Sequence, residues 1–367
     1  METFPERDDV LGALRAVVDP DLRRDIVSLG FVKDLVVAGQ RVSFTIELTT
    51  PACPVKDQMR DQAVAAVRAL PGVGDVDVQM TAKVRSASAP ETGRPPLPGV
   101  KNVIAVGAGK GGVGKTTVAV NLALALARCG SRVGILDGDI YGPNVPIMMG
   151  LSAQLTTDEQ RRIVPAERYG IQVISIGFMT KDDDAIIWRG PMLHGAIQQF
   201  FREVAWTDLD YLIVDMPPGT GDVALSLSQT VPVVGAVVVT TPQQVSLADT
   251  RRAVRMYQKL NIATIGLVEN MSYYTCENCH HEADIFGHGG GEALASELGV
   301  PFLGRLPVYQ PIRVGSDTGV PLVAAEPSSP AARAFLTVAE RTAAQVSIAA
   351  HSAAEKNKGK IPLIPVR

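Results

Sequence analysis

The sequence GKGGVGKT at Gly109–Thr116 constrains this 367-residue chain more than any other feature. It satisfies the pattern G-x-x-x-x-G-K-S/T, follows the apolar run Val103–Val106, and precedes a stretch with helical spacing. In that context glycine amides and the positive end of the helix dipole surround a β-phosphate. Lys115 then reaches the β- and γ-phosphates, and the Thr116 hydroxyl is a ligand for Mg²⁺. The predicted contacts to ATP in this loop are Gly109, Lys110, Gly111, Gly112, Val113, Gly114, Lys115, Thr116 and Thr117.

A second lysine, Lys110, stands near the start of the same loop. This arrangement resembles the deviant Walker A motif of the MinD/ParA/NifH-type ATPases. In that class the extra lysine reaches across a dimer interface to the partner's nucleotide. The resemblance implies an ATP-bound, face-to-face homodimer in which Lys110 and Lys115 both take part in catalysis. A solvated loop lysine is the alternative.

From Val100 onward, short apolar runs alternate with helical stretches. Such runs are typical of buried parallel strands, and their alternation with helices indicates an α/β fold with a doubly wound parallel sheet. The segment before it has the pattern of a small α+β unit. We predict a small α+β domain at residues 1–85, a Pro- and Ser-rich linker at 86–99, a P-loop ATPase domain at 100–345 and a loose tail at 346–367.

Carboxylates follow two of the predicted strands, at the edge where such sheets bind ligands. Asp137 and Asp139 follow the run Val133–Leu136, and Asp215 ends the run Tyr211–Val214. We predict that Asp215 holds Mg²⁺ through water and that the glycine-rich residues 216–222 form a switch loop. One of the other two carboxylates is expected to position the attacking water. Asp137 is favoured for the water and Asp139 for sensing the γ-phosphate, with the reverse assignment nearly equal.

Asn270 follows another apolar run, Thr264–Val268. An amide at a strand end offers a donor and an acceptor to a base edge. In the ATPase class that the P-loop resembles, an Asn at the matching place recognises adenine, and the resemblance places this role on Asn270. Formation of a turn is the alternative.

Cys276 and Cys279 form a Cys-x-x-Cys pair shortly after Asn270. Two thiolates per chain cannot complete the four-cysteine shell that an iron–sulfur cluster usually has, but a homodimer would bring four together. Zinc is an equal candidate from the residues alone, because His280, His281 or His288 could complete a shell within one chain. A redox dithiol and a pair of inert thiols are the remaining alternatives.

Several motifs together resemble the Mrp/ApbC family of iron–sulfur cluster carrier ATPases: GKGGVGKT, DGDIYGPNVP, MPPGTGD, VENMSYYTCENC and IFGHGGG. The resemblance covers about Val100 to Glu340. It implies a P-loop ATPase homodimer that binds a labile cluster, 4Fe-4S in our prediction, through Cys276 and Cys279 of two subunits. It also implies cluster transfer to apo-proteins and contact with scaffold proteins. Asn278 and the pair His280–His281 depart from the family pattern, and the two imidazoles keep zinc as an alternative.

The first segment carries DPDLRRDIVSLG at Asp19–Gly30 and LTTPACP at Leu48–Pro54. These resemble the PaaD/SufT-like domain linked to iron–sulfur assembly. We predict that Cys53 lies at a helix N-terminus, where the dipole lowers the pKa of a thiol, and serves as a transient ligand. A small buried thiol is the alternative.

Composition limits the partners. The chain has 35 Lys and Arg against 38 Asp and Glu, a net charge of −3, which argues against a nucleic-acid partner. No apolar run suggests a membrane span or a signal peptide, so we expect a cytoplasmic protein without a membrane partner. The alternative function is a ParA/MinD-type positioning ATPase with a structural zinc site.

Overall fold

The computed structural model describes residues 4–87, 95–139, 142–178, 190–219, 222–276, 278–279 and 281–358. Among these residues, no helix is both long enough and apolar enough to span a bilayer.

The amino-terminal unit is a three-stranded sheet with two helices. Its elements are α1 (Arg7–Leu14), β1 (Val18–Asp19), β2 (Arg24–Asp25), β3 (Val32–Ala38), β4 (Arg41–Leu48), α2 (Lys56–Arg68) and β5 (Asp75–Ala82). The sheet has the order β3-β4-β5, with β4 antiparallel to β3 and parallel to β5. Helix α2 packs on it through Met59, Ala63 and Val67, a buried stripe at helical spacing. The sequence pattern did not indicate β3, because a register shift near Asp34, at φ 49°, interrupts its alternation.

The second unit is larger and contains the P-loop. Its strands are β6 (Val100–Ala108), β7 (Val133–Asp137), β8 (Thr156–Thr157), β9 (Ile163–Val164), β10 (Ala166–Arg168), β11 (Ile171–Ser175), β12 (Leu209–Asp215), β13 (Val233–Thr240), β14 (Thr264–Thr275), β15 (Glu282–Ala283) and β16 (Phe302–Val308). Its helices are α3 (Lys115–Arg128), α4 (Val145–Met149), α5 (Gly190–Glu203), α6 (Asp222–Thr230), α7 (Gln244–Lys259), α8 (Gly290–Leu298), α9 (Gln310–Thr318), α10 (Leu322–Ala325) and α11 (Pro330–Lys358).

The main sheet has the order β10-β11-β7-β12-β6-β13-β14-β15, and β16 also pairs with β14. All neighbours are parallel except the short edge strands β10 and β15. One apolar cluster lies on the face that α3 and α11 cover, and another on the face of α5, α7 and α8. The predicted α/β class with a doubly wound parallel sheet is therefore confirmed.

The register of the central strands brings the predicted carboxylates to one place. Asp215 at the end of β12 is the Cα partner of Asp137 on β7 and of Val106 on β6. Strand β6 leads into the P-loop, so the phosphate-binding loop and both carboxylates meet at the same edge of the sheet.

The carboxyl end differs from the sequence-based expectation of a loose tail from residue 346. Helix α11 continues to Lys358, and Val346 and Ala350 are buried. Its last turns face the amino-terminal unit, where Arg24 Nη1 lies 2.6 Å from Glu355 Oε1. The Tyr211 hydroxyl also donates to Thr50 Oγ1 at 3.4 Å across the two units. The polar and charged residues after Ala350 did not indicate a helix, and tertiary contacts stabilise the one that forms there.

Candidate functional site

The P-loop joins the end of β6 to the first residue of α3, Lys115. Gly112 and Gly114 have φ of 80° and 78°, in the left-handed region that favours glycine. Gly111 and Gly112 are exposed, so the backbone between strand and helix is open to a ligand. The free N–H groups of the first turn of α3 add positive potential there. This arrangement suits a phosphate group.

The buried Lys115 and Asp215 form a polar cluster with the half-buried Thr116 beneath the loop. Lys115 Nζ lies 2.6 Å from Asp215 Oδ1, and the Thr116 hydroxyl donates to Asp215 Oδ2 at 2.8 Å. Asp215 is fully buried, and burial raises its pKa, while the Lys115 ammonium opposes the rise. The hydroxyl and carboxylate oxygens are hard donors that fit Mg²⁺, and Lys115 lies where it can turn toward a phosphate.

Asp137 is buried beside this cluster and is held by three hydrogen bonds. Its Oδ2 accepts from the Ser175 hydroxyl at 3.0 Å and from the Val145 amide at 3.2 Å, and its Oδ1 accepts from the Asp139 amide at 3.2 Å. Burial, followed by the neighbouring charge of Asp215, raises the pKa of Asp137 to about 8. Asp139 is only half-buried. Of the two carboxylates, Asp139 is therefore the one nearer the solvent.

Asp137→Asn should flatten the dependence of stability on pH. The folded chain keeps a proton on Asp137 up to about pH 8, because the pKa is raised to about 8, whereas the ordinary pKa of an unfolded aspartate is 3.8. Between these values the folded state binds more protons, so the free energy of unfolding falls as the pH rises. We expect the variant to lose part of that slope in thermal or denaturant unfolding between pH 5 and 8.

The surface change Asp317→Asn on α9 is the control and should keep the slope. An unchanged slope in Asp137→Asn would contradict a protonated Asp137.

Asn270 lies inside β14 rather than beyond a strand end, because this strand continues to Thr275. Its side-chain amide is buried and donates to the Val113 carbonyl of the P-loop at 2.8 Å. A Cβ on Gly114 would lie 2.3 Å from Asn270 Nδ2, so this close approach requires glycine. The structure therefore brings Asn270 to the nucleotide loop.

Cys276 and Cys279 lie in the turn of a hairpin between β14 and β15. Tyr274 pairs with Ala283, and the Cys276 amide donates to the His281 carbonyl at 3.0 Å. Cys276 is half-buried and Cys279 is exposed. Within the described part of the chain, which leaves out His280, no three His, Cys, Asp or Glu side chains are grouped to hold a metal ion. Here the chain presents two thiols at its surface.

Cys53 does not have the environment that the sequence suggested. Helix α2 begins at Lys56, so Cys53 lies before the helix rather than at its first turn. Its side chain is buried, and burial raises the pKa of the thiol to about 11, with Asp19 among the nearby carboxylates that add to the rise. The prediction of a lowered thiol pKa at Cys53 is wrong, because burial desolvates the thiol and nearby carboxylates add to the rise.

Iodoacetamide at pH 8 should therefore distinguish the cysteines of the cluster-free protein. We expect Cys279 to react at least ten times faster than Cys53, because the reagent attacks exposed thiolates. Peptide mass spectrometry of a labelling time course measures both rates. The guanidinium-unfolded chain is the control and should show similar rates at the two positions. Equal rates in the folded chain would contradict the buried position of Cys53.

Two residues near the site were not indicated by the sequence analysis. Ser175, which bonds Asp137, ends the apolar run of β11, and Arg305 is the only charged residue within β16. A polar residue inside or at the end of a buried strand is the signal that could have found both.

Comparison with known proteins places this chain in a family. Residues 99–343 match the family described as NUBPL iron-transfer P-loop NTPase, and residues 7–80 match that described as iron-sulfur cluster assembly protein. The iron-sulfur cluster carrier protein of Synechocystis sp. is 49% identical over 349 residues, which cover 94% of this chain and 98% of the relative. That of Deinococcus radiodurans is 48% identical over 342 residues, covering 93% and 96%.

Solved structures agree with the P-loop NTPase fold. A nucleotide-binding protein from Archaeoglobus fulgidus in complex with ADP is 36% identical, has a TM-score of 0.57, and matches over 65% of this chain and 93% of its own. The cell division ATPase MinD of Pyrococcus furiosus is 26% identical with a TM-score of 0.50, over 65% and 97%. The chain therefore belongs to the Mrp/ApbC family of iron–sulfur cluster carrier P-loop NTPases, with an iron–sulfur cluster assembly domain at its amino-terminal side.

Proposed function

We propose that this chain is an ATP-dependent carrier that holds a 4Fe-4S cluster between two copies of itself and delivers it to apo-proteins. The observation that carries the proposal is the position of the thiols. Cys276 and Cys279 lie at the surface, at the end of the same strand that carries Asn270 against the P-loop. A change in the nucleotide loop therefore has a short covalent route to the cluster ligands.

At the nucleotide site, binding exchanges one set of contacts for another. Lys115 leaves Asp215 and pairs with the β- and γ-phosphates, which frees the carboxylate. The Thr116 hydroxyl and, through water, Asp215 would hold Mg²⁺, which would supply positive charge against the phosphates. The cost of separating a buried ion pair is offset because both partners regain opposite charges.

For hydrolysis we assign the water-positioning role to Asp139 and the supporting role to Asp137. The burial of Asp137 and its three hydrogen bonds favour this order over the one expected from the sequence. Lys110 of the opposing copy stabilises the charge that develops on the phosphates, as a positioned cation does in other phosphoryl transfers. Residues 216–222 act as the switch, although residues 220 and 221 lie outside the described part.

For the cargo, coordination chemistry requires the homodimer. A four-iron cluster takes four thiolates, and each chain supplies two in its hairpin, the half-buried Cys276 and the exposed Cys279. The cluster then lies between subunits and is exposed to exchange with an apo-protein's thiolates. Contacts with scaffold proteins, a cytoplasmic location and the lack of nucleic-acid or membrane partners stay predictions from the sequence.

Anaerobic reconstitution with iron and sulfide tests the proposal. We expect a brown dimer with one cluster per two chains, read by visible absorption and native mass spectrometry. Addition of Mg-ATP should change the rate of transfer to an apo-ferredoxin. A colourless chain with one zinc bound would overturn the proposal and support the positioning-ATPase alternative.

A further inference from the structure

Strand β14 is irregular between the nucleotide site and the cysteine hairpin. It advances from Glu269 to Tyr273 while its parallel neighbour β16 advances only from Arg305 to Pro307. Within this bulge Met271 has φ 53°, a left-handed conformation that a non-glycine residue adopts only when its surroundings hold it. An unsupported bulge would absorb a movement of Asn270 instead of passing it on to Cys276.

Arg305 supports the bulge from its inner side. Its Nε donates to Ser272 Oγ at 2.8 Å, and the Ser272 hydroxyl donates to Glu269 Oε1 at 2.5 Å. Glu269 is fully buried, and its other oxygen accepts from the Gly291 amide at 2.5 Å. This chain of bonds joins β16, β14 and the first turn of α8, and every side chain in it has a partner.

The same guanidinium also holds the outer side of the hairpin. It lies 5.2 Å from the centre of the Tyr273 ring and donates through Nη2 to Asp284 Oδ1 at 3.1 Å. Asp284 follows β15, the strand that leaves the cysteine turn, and also contacts His288 at 3.0 Å. Both Asp284 and His288 belong to the segment that contains the motif IFGHGGG. One side chain thus contacts the strand that enters the hairpin and the segment that leaves it.

We propose that Arg305 is a positioning residue that fixes the Cys276–Cys279 hairpin to the part of β14 that contacts the P-loop. This inference rests on the proposed function, since it explains how the thiols respond to nucleotide. A ligand shifts an equilibrium only by its differential affinity for two states, so the two sites need a connection with defined geometry. Arg305 supplies it through the planar fork of its guanidinium, which a lysine cannot reproduce.

Arg305→Ala and Arg305→Lys test the inference on the cluster-free protein. We expect the amides of residues 272–276 to exchange with deuterium at least tenfold faster in Arg305→Ala, while those of β6 and α3 stay unchanged. Arg305→Lys should fall between that variant and wild type. In wild type, Mg-bound AMP-PNP should change the iodoacetamide rate at Cys279 at least threefold. In Arg305→Ala that ratio should approach one, with nucleotide affinity retained.

Arg313→Ala is the matched control, because Arg313 on α9 forms an exposed ion pair with Asp317. It should behave as wild type in both measurements. Unchanged exchange at residues 272–276 in Arg305→Ala, or an unchanged nucleotide ratio at Cys279, would overturn the inference. Failure of the proposed function would be seen separately. In that case neither wild type nor the Arg305 variants would hold a cluster on reconstitution.

Discussion

Cys276→Ser and Cys279→Ser should each leave ATP binding intact and reduce the bound cluster at least tenfold. A serine hydroxyl is a poor ligand for iron at neutral pH, and each substitution removes two of the four thiolates in the proposed dimer. Because the thiols lie in a surface hairpin, their loss removes little buried area and should not unfold the chain. Iron and sulfide content after anaerobic reconstitution, with the affinity of a fluorescent ATP analogue, measures both properties.

Cys129→Ser is the matched control for this prediction. Cys129 caps the end of α3 and lies away from the hairpin, packed against the apolar cluster on that face. Its variant should bind as much cluster as wild type. If both hairpin variants kept their cluster, other residues would have to hold it. If they lost nucleotide binding as well, the thiols and the P-loop would not be separate sites.

Lys115→Ala should lower ATP hydrolysis at least 100-fold, because it removes the cation that faces the β- and γ-phosphates. It should also lower the free energy of unfolding by about 3 kcal/mol at pH 8, since Asp215 then stays buried without its ion pair. The loss of stability should be smaller at pH 5.5. Without Lys115, only the Thr116 hydrogen bond opposes the rise that burial causes in the pKa of Asp215, so the folded variant takes up a proton and gains stability as the pH falls.

Lys110→Ala is the control from the same loop. Among the described residues Lys110 makes no ion pair, so its removal should leave stability unchanged at both pH values. It should nonetheless lower hydrolysis and prevent the ATP-dependent dimer, which native mass spectrometry detects. Equal stability of Lys115→Ala and wild type at pH 8 would show that the Lys115–Asp215 pair contributes nothing to the nucleotide-free fold.

Local patterns made the P-loop and the parallel sheet predictable. Buried strands such as β7 and β12 are continuous apolar runs, and each ends in the carboxylate that the site uses. The P-loop needs glycine where its backbone is left-handed, and those glycines can be read directly from the sequence. By contrast, β3 and the extension of β14 contain residues in left-handed conformations, Asp34 and Met271, which interrupt the alternation that identifies a strand.

The roles of individual side chains depended on burial, which no local pattern reports. Asp137 and Asp139 are two positions apart in sequence, yet only Asp137 lies under the sheet edge with Ser175 and Val145 as partners. Cys53 was expected at a helix N-terminus, but it lies before the helix, and the surrounding fold buries it and raises its pKa. Desolvation depends on what packs around a group, and those neighbours come from distant parts of the chain.

The sequence by itself determined the P-loop, the order of strands and helices around it, and the presence of two thiols after Asn270. These follow from spacing along the chain, where neighbouring residues decide the backbone conformation. Only the tertiary structure decided that Lys115 pairs with Asp215, that α11 continues to Lys358, and that Arg305 connects Ser272 with Asp284. Each of these features depends on segments that are distant in sequence and meet only in the folded chain. Burial and charge, rather than local conformational preference, therefore decide them.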